Sequence, residues 1–171
     1  MKPQANATVA AIPRAARAEE LKPLYLEALS LVERLHRRLL DVIKDEFDRT
    51  GESQMTSKQA LLLFNIGESD LPASEIRARG YYLGSNASYN LKRLIEMGYI
   101  QHQRSPLDRR SVRVSLTARG REIADVVNRL YERHVRSIDQ AGGIAAGDVH
   151  TVRHSLRRLE RFLTDQIRYR L

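Results

Sequence analysis

Apolar residues recur at helical spacing along most of this 171-residue chain, and only residues 99–116 contain a stretch that alternates between apolar and polar side chains. A period of 3.6 residues is typical of amphipathic helices, whereas a period of two is typical of strands. The pattern therefore predicts a mainly α fold with one small β-hairpin. The length suits a single domain, or one compact unit extended by long helices.

The first part of the chain combines an irregular arm with a long helix. Residues 1–20 are rich in Ala, show no sustained period, and are predicted to form a mobile arm. A long amphipathic helix is predicted from Leu24 to about Thr50. Thr56 and Gln59 then have the spacing of a capping box before a strongly apolar segment, which predicts a short buried helix.

Two more short helices are predicted before the hairpin. Pro72 suits the first turn of a helix that runs to Arg79. Ser85 can cap the next helix, which Gly98 ends. Two short helices joined by a tight turn are typical of a helix-turn-helix arrangement.

Strands are predicted at 99–104 and 111–116, and two long helices follow at 118–140 and 148–169. Thr117 can cap the first of these helices. Both carry an apolar stripe that a chain of this size has too little surface to cover. We therefore expect the chain to form a homodimer.

Charge favours a polyanionic partner. The chain has 29 Lys and Arg against 21 Asp and Glu, a formal net charge of +8, and a pI near 10.1. Between Ser85 and Arg121, eight basic residues stand against two acidic ones, an excess of six. Nucleic acid and an anionic membrane surface both fit such a balance.

Several classes of site are excluded by composition. The absence of cysteine rules out disulfides, cysteine-based zinc sites and thiol chemistry. His150 and His154 have the i, i+4 spacing of metal ligands, but no third ligand shares their helical face, so no metal site is predicted. Phosphate-binding loops and catalytic motifs are also missing from the sequence. We therefore expect a protein that binds no cofactor and is not an enzyme. No apolar run could span a membrane, so we expect a cytoplasmic protein.

Three short motifs occur in a fixed order, at residues 94–100, 108–110 and 114–120. Together they resemble the MarR family of winged helix-turn-helix transcriptional regulators, and the order of elements agrees from Leu24 to Leu171. In that family the motifs span the end of the recognition helix, an Asp-x-Arg wing tip, and a Leu-Thr-x-x-Gly entry to the dimerisation helix. The extended N-terminal part resembles the LdtR-like branch.

The resemblance implies a winged helix-turn-helix domain flanked by N- and C-terminal dimerisation helices. We expect the DNA-binding domain at residues 51–117, between a first dimerisation helix at 21–50 and two C-terminal helices at 118–171. The remaining residues, 1–20, form the arm.

The predicted recognition helix begins with small and amide side chains, which can approach base edges in a major groove. Asn86 is the candidate for an adenine contact, although Ser85 also fits a plain helix cap and Asn90 a packed polar residue. Lys92 and Arg93 should reach phosphates and set affinity without reading sequence. The predicted contacts of this helix are Ser85, Asn86, Ser88, Tyr89, Asn90, Lys92 and Arg93.

The predicted wing tip is also basic. Arg110 is placed to enter a narrow minor groove, and Asp108 can accept hydrogen bonds that hold the turn. The resemblance implies the same two roles. Backbone contacts are expected from Arg104, Arg109 and Arg113.

A dimer of this kind would place two recognition helices in successive major grooves of a pseudo-palindromic double-stranded operator. It would act most simply as a repressor. MarR-like proteins commonly bind small aromatic or amphipathic effectors between the dimerisation helices and the DNA-binding unit. The candidate lining residues here are His36, Leu40, Leu61 and Phe64, all of which also fit a plain core.

Two other classes of function stay open at this point. The winged helix could serve as a protein-interaction module, or the chain could be a basic protein that docks on anionic membrane. The polar start of the recognition helix and the Asp-x-Arg wing disfavour both, because neither partner needs them.

Overall fold

The computed structural model describes residues 14–51, 54–68, 71–72, 85–104 and 112–169. They form a mainly α fold with a small antiparallel sheet, as the apolar periods predict. The chain divides into two units, residues 1–57 and 58–171. The elements are α1 (Arg14–Thr50), α2 (Ser57–Ile66), β1 (Leu71–Pro72), α3 (Ser85–Glu96), β2 (Ile100–Arg104), β3 (Val112–Leu116), α4 (Ala118–Ala141) and α5 (Ala146–Tyr169).

Helix α1 begins ten residues before the predicted start at Leu24 and contains Pro23. The predicted arm, residues 1–20, is therefore wrong for residues 14–20, which are helical; the earlier part of the arm lies outside the described residues. The Ala- and Glu-rich composition of this segment supplies high intrinsic helix propensity even without an apolar period. The prediction depended on periodicity and missed it.

Helix α1 ends as predicted, at Thr50 before Gly51. The Thr50 hydroxyl donates to the carbonyl of Glu46 at 3.1 Å, and Gly51 has a φ of +80°. Ile43 and Phe47 are buried near this end. The Glu46 carboxylate, also buried, pairs with the Arg49 guanidinium one turn later.

The core of the second unit is built on α2, in which five of the ten residues are buried aliphatic side chains. The other buried residues come from the end of α3, the sheet and the first half of α4. This explains why the middle of α2 is an unbroken run of apolar residues. The core side chains are Leu61, Leu62, Leu63, Ile66, Leu94, Tyr99, Ile100, Val114, Leu116, Ile123, Val127 and Leu130.

The sheet has three strands in the order β1-β3-β2, all antiparallel. The predicted hairpin is confirmed as β2 and β3, whose register pairs Ile100 with Leu116. The predicted helix from Pro72 begins too early, because Leu71 and Pro72 pair with β3 as a strand. A proline at the edge of a sheet loses no ladder bond, so this position suits Pro72 equally well. Residues 73–79 of that predicted helix lie outside the described residues.

The caps of the two C-terminal helices agree with the sequence. Thr117 caps α4, and Gly142 ends it in the left-handed conformation with a φ of +63°. Helix α5 begins two residues before the predicted Asp148, whose carboxylate accepts a hydrogen bond from the Ala145 N–H at 2.9 Å. This capping-box geometry supports the start of the helix. No residue of α5 is buried.

Candidate nucleic-acid interface

Helix α3 is amphipathic, and its two sides differ in exposure. Leu94 is fully buried, whereas Tyr89 is 66% exposed, and Lys92 and Arg93 are exposed. The buried side fixes the helix on the core, so the opposite side is presented to solvent. Such a helix offers a polar, cationic surface that does not contribute to the core.

The predicted base-contacting residues lie in the first half of α3. Ser85, Asn86 and Ser88 belong to its first turns, and their side chains lie outside the described residues. Tyr89 is exposed and Asn90 half-buried. Base contacts by these residues stay a prediction.

The two cations of α3 share one carboxylate. Glu96 lies 3.9 Å from the Lys92 amine and 3.6 Å from the Arg93 guanidinium, and all three side chains are at least half exposed. Exposed pairs of this kind contribute little to stability. Either cation can therefore exchange Glu96 for a phosphate at low cost.

The C-terminal end of α3 is closed by a Schellman motif. The Tyr99 N–H donates to the Leu94 carbonyl at 3.0 Å, and the Gly98 N–H donates to the Ile95 carbonyl at 3.0 Å. Gly98 has a φ of +77°, which favours glycine at this position. The motif also brings Tyr99 into the core beside the start of β2.

A second set of contacts ties this end of α3 to the start of α4. The Thr117 hydroxyl donates to the Gly98 carbonyl at 2.7 Å and accepts from the Gly120 N–H at 3.1 Å. A Cβ at Gly120 would lie 2.1 Å from the Tyr99 carbonyl oxygen, so only glycine fits there. The Leu-Thr-x-x-Gly motif therefore has a physical basis in this contact.

Arg119 and Arg121 belong to the same region, and their role was missed by the count of basic residues. Arg119 stacks on the Tyr99 ring at 4.5 Å from its centroid and donates to the Met97 carbonyl at 3.3 Å. Arg121 donates to the Leu116 carbonyl at 3.0 Å. Both are thus engaged within the protein, and their position just after the Thr117 cap is the sequence signal that could have shown it. We call the contacts among Gly98, Tyr99, Thr117, Arg119 and Gly120 the Tyr99 joint.

The wing is described at its base only. Arg104 is the last residue of β2 and pairs with Val112, and Arg113 is half-buried on β3. The Arg104 side chain lies outside the described residues, as do Asp108, Arg109 and Arg110. DNA contacts by these residues stay a prediction.

The candidate effector residues lie in different environments. His36 is exposed and Leu40 half-buried on α1, whereas Leu61 is buried on α2. Phe64 is half-buried, and its ring contacts the Tyr131 ring edge-on at a centroid distance of 5.0 Å. Burial raises the pKa of the Tyr131 hydroxyl above its ordinary value.

Beside Phe64, the second unit contains a cavity of about 170 Å³. An apolar cavity of about 150 Å³ can hold one benzene-sized ring. This cavity is more polar, because its lining includes Glu68, Arg121, Asp125 and Asn128. Its lining consists of Phe64, Gly67, Glu68, Leu116, Arg121, Ala124, Asp125 and Asn128.

Similarity to known proteins agrees with this geometry. Residues 55–120 match a family described as a winged helix DNA-binding domain. The exopolysaccharide II synthesis transcriptional activator ExpG of Rhizobium meliloti (strain 1021) is 32% identical over 145 residues, which cover 85% of this chain and 74% of the relative. None of the helices in the described ranges is long and apolar enough to cross a membrane.

Two solved structures share the fold. FabT of Streptococcus pneumoniae in complex with DNA matches with a TM-score of 0.61 and 24% identity, over 82% of this chain and 98% of that one. A mutant of MarR from E. coli, complexed with operator DNA, also has a TM-score of 0.61, with 19% identity over 83% of this chain and 96% of that one. With the ordered motifs, the α3 and wing geometry and the similarity to ExpG, these findings show that the chain belongs to the MarR family of winged helix-turn-helix transcriptional regulators.

Proposed function

We propose that this regulator binds a pseudo-palindromic double-stranded DNA operator as a homodimer and acts there as a repressor that a small-molecule effector releases. The observation that carries the proposal is the contrast between the two sides of α3. Its buried side is held by Leu94 and the Tyr99 joint, whereas Tyr89, Lys92 and Arg93 face solvent. A rigid helix with an exposed polar side is what entry into a major groove requires.

Dimerisation is supported by the exposed apolar side chains of α1 and α5. Seven such residues on α1 and seven on α5 are exposed by more than a third of their surface, including Leu35 and Leu156. Large exposed apolar stripes on long helices are typical of surfaces that pair with another chain. A symmetric dimer would cover them and place two α3 helices about one DNA turn apart.

The effector part of the proposal is supported by the cavity beside Phe64. It has room for about one aromatic ring, and its lining combines the Phe64 ring with polar side chains. His36, Leu40 and Leu61 stay candidate contacts for an effector. A ligand acts through such a site only if it binds better to a conformation that fits DNA poorly.

Activation is a second candidate outcome, because the relative of Rhizobium meliloti is named a transcriptional activator. The same DNA-binding geometry serves either outcome, since the position of the operator relative to the promoter decides whether polymerase is blocked or recruited. A reporter gene behind the bound promoter, with and without the protein, distinguishes the two. Either outcome places the protein with the DNA, in the cytoplasm.

The operator can be found by selecting genomic DNA fragments on the purified protein and footprinting the bound sequence. Fluorescence anisotropy with the selected duplex then measures affinity between low and moderate salt. The Asn86→Ala and Arg110→Ala variants should each lose about 1–3 kcal/mol of specific binding free energy. The Lys92→Ala variant should weaken specific and non-specific binding alike and reduce the salt slope by about 1.

Arg136→Ala serves as a control, because Arg136 is exposed on α4, remote in sequence from α3 and the wing. It should leave the specificity ratio unchanged. Equal affinity for selected and random duplexes, or loss of specificity in the control alone, would contradict the proposal. A lone protomer at the concentrations that bind DNA would contradict the dimer.

A further inference from the structure

Helix α5 has a second feature that the proposed function does not use, a cationic stripe on the side opposite its apolar residues. His150, His154, Arg157, Arg161 and Arg168 recur at intervals of four, three, four and seven residues. This spacing keeps all five on one side of a helix. We name these five residues the α5 cationic stripe; its formal charge at pH 7 comes from the three arginines.

The stripe is accessible, and its arginines form no ion pair in the part of the chain that the structure describes, although Glu160 lies beside Arg157 and Arg161. All five side chains are exposed. Within the described ranges, none of the five arginines of α5 lies within ion-pair distance of a carboxylate, in contrast to Lys92 and Arg93 on α3. Helix α5 contains five Arg and no Lys, against three acidic residues.

The dimensions of the stripe match a regular polyanion. From Arg157 to Arg168 its charged part extends over 11 residues, or about 16 Å at 1.5 Å per residue. Successive phosphates of one DNA strand are about 3.4 Å apart along the duplex axis, so a stripe of this length can reach several of them. Guanidinium groups also form bidentate hydrogen bonds with phosphate oxygens.

We propose that the α5 cationic stripe is a second nucleic-acid contact surface, which binds the phosphate backbone of duplex DNA without reading its sequence. The proposal goes beyond the proposed function, since it needs neither an operator nor base contacts by α3. A membrane is the less suitable partner, because a helix lying in the membrane plane must insert its apolar side into the lipid. In the proposed dimer the apolar side of α5 is covered by the other protomer. Sequence-independent contacts of this kind raise affinity for any duplex.

The test is the salt dependence of binding to a random-sequence 30-bp duplex, measured with the full-length protein. The variant R157Q/R161Q removes two charges of the stripe, and R129Q/R136Q removes two exposed arginines of α4 as a matched control. The slope of log K against log[salt] is negative, and each lost phosphate contact reduces its magnitude by about 0.9. We expect the slope of R157Q/R161Q to be smaller in magnitude by about 1.8. The slope of the control should equal that of the wild-type protein.

Two further measurements keep the outcome clear. Light scattering should show that R157Q/R161Q keeps the wild-type oligomeric state; a shift to a smaller species would show that the stripe is an interface between copies and overturn the proposal. Sedimentation with phosphatidylglycerol vesicles tests the membrane, and loss of vesicle binding at an unchanged DNA slope would overturn it as well. An unchanged slope, or an equal loss in the control, would also do so.

The K92A/R93A variant separates this proposal from the proposed function. If α3 binds DNA, the slope falls in K92A/R93A whether or not the stripe contributes. If only the stripe binds, the slope falls in R157Q/R161Q and stays at the wild-type value in K92A/R93A. The two ideas can therefore fail independently.

Discussion

The Tyr99 joint and helix α5 use their apolar and polar groups in opposite ways. In the joint, Tyr99 is buried, Gly120 touches its carbonyl, and Thr117 and Arg119 close the surrounding hydrogen bonds. Helix α5 has no buried residue and leaves its apolar stripe exposed. The Tyr99 joint is thus complete within one chain, whereas the apolar side chains of α5 are exposed.

The largest effect should come from Gly120→Ala, which tests the completeness of the joint. The new Cβ would lie 2.1 Å from the Tyr99 carbonyl oxygen, and backbone atoms on both sides would have to shift. We expect a loss of about 3 kcal/mol or more in the free energy of unfolding, measured with urea. Gly143→Ala is the control, because its Cβ meets nothing within 4 Å. Equal losses in the two variants would show that the joint is not tightly packed.

Leu156→Ala tests whether a second protomer covers the exposed apolar side of α5. Leu156 is 42% exposed on the apolar stripe of α5. In a symmetric dimer its loss counts twice, at about 2 kcal/mol per dimer, which corresponds to about a thirty-fold higher Kd. Sedimentation equilibrium measures this Kd, with His150→Ala, on the opposite side of α5, as the control.

The same variant should lower Tm in a manner that depends on protein concentration, because dimer formation stabilises the fold by mass action. A Tm loss that is identical at all concentrations would mean that Leu156 stabilises a single protomer. The contrast between the joint and α5 would then disappear.

Much of this contrast could be predicted from the sequence. The Thr117 cap, the stop at Gly98 and the β2–β3 hairpin depend on local turn and cap chemistry, and the structure confirms them. The family also followed from ordered local motifs. Such signals are readable because each involves residues close together in the chain.

Helical residues 14–20 were missed although their helix propensity is local, whereas the error at Pro72 arose because the choice depended on residues distant in sequence. Pro72 suits a helix start and an edge strand equally, and only its pairing with Arg113 decides. Arg119 and Arg121 were counted in the basic excess, and only the Tyr99 ring and the Leu116 carbonyl beside them show what they contact. The candidate contacts at the wing tip and the first turn of α3 stay predictions.

Arg119→Ala should have a smaller effect than either substitution above. It removes the stacking on Tyr99 and a hydrogen bond to the Met97 carbonyl, together about 1 kcal/mol for an exposed arginine. A double-mutant cycle with Tyr99→Leu, followed by urea unfolding, isolates the contribution of the stacking. Additive losses in the cycle would remove Arg119 from the joint.

The smallest expected effect concerns Tyr131, whose ring contacts the Phe64 ring. In sequence, Tyr131 lies between the Tyr99 joint and α5. Burial raises the pKa of its hydroxyl, so the folded state resists ionisation more than the unfolded state. The stability from this group is fully present below the unfolded pKa, about 10, and is lost as pH rises through the folded pKa. Because the hydroxyl is partly hydrated, the loss should be smaller than that of Arg119→Ala.

Urea unfolding of the wild-type protein and Tyr131→Phe at about pH 8 and pH 10.5 measures this loss, because the other six tyrosines contribute equally to both proteins. The wild-type protein should lose more stability across this interval than the variant. Equal losses would mean that the hydroxyl is as well hydrated in the folded state as in the unfolded chain.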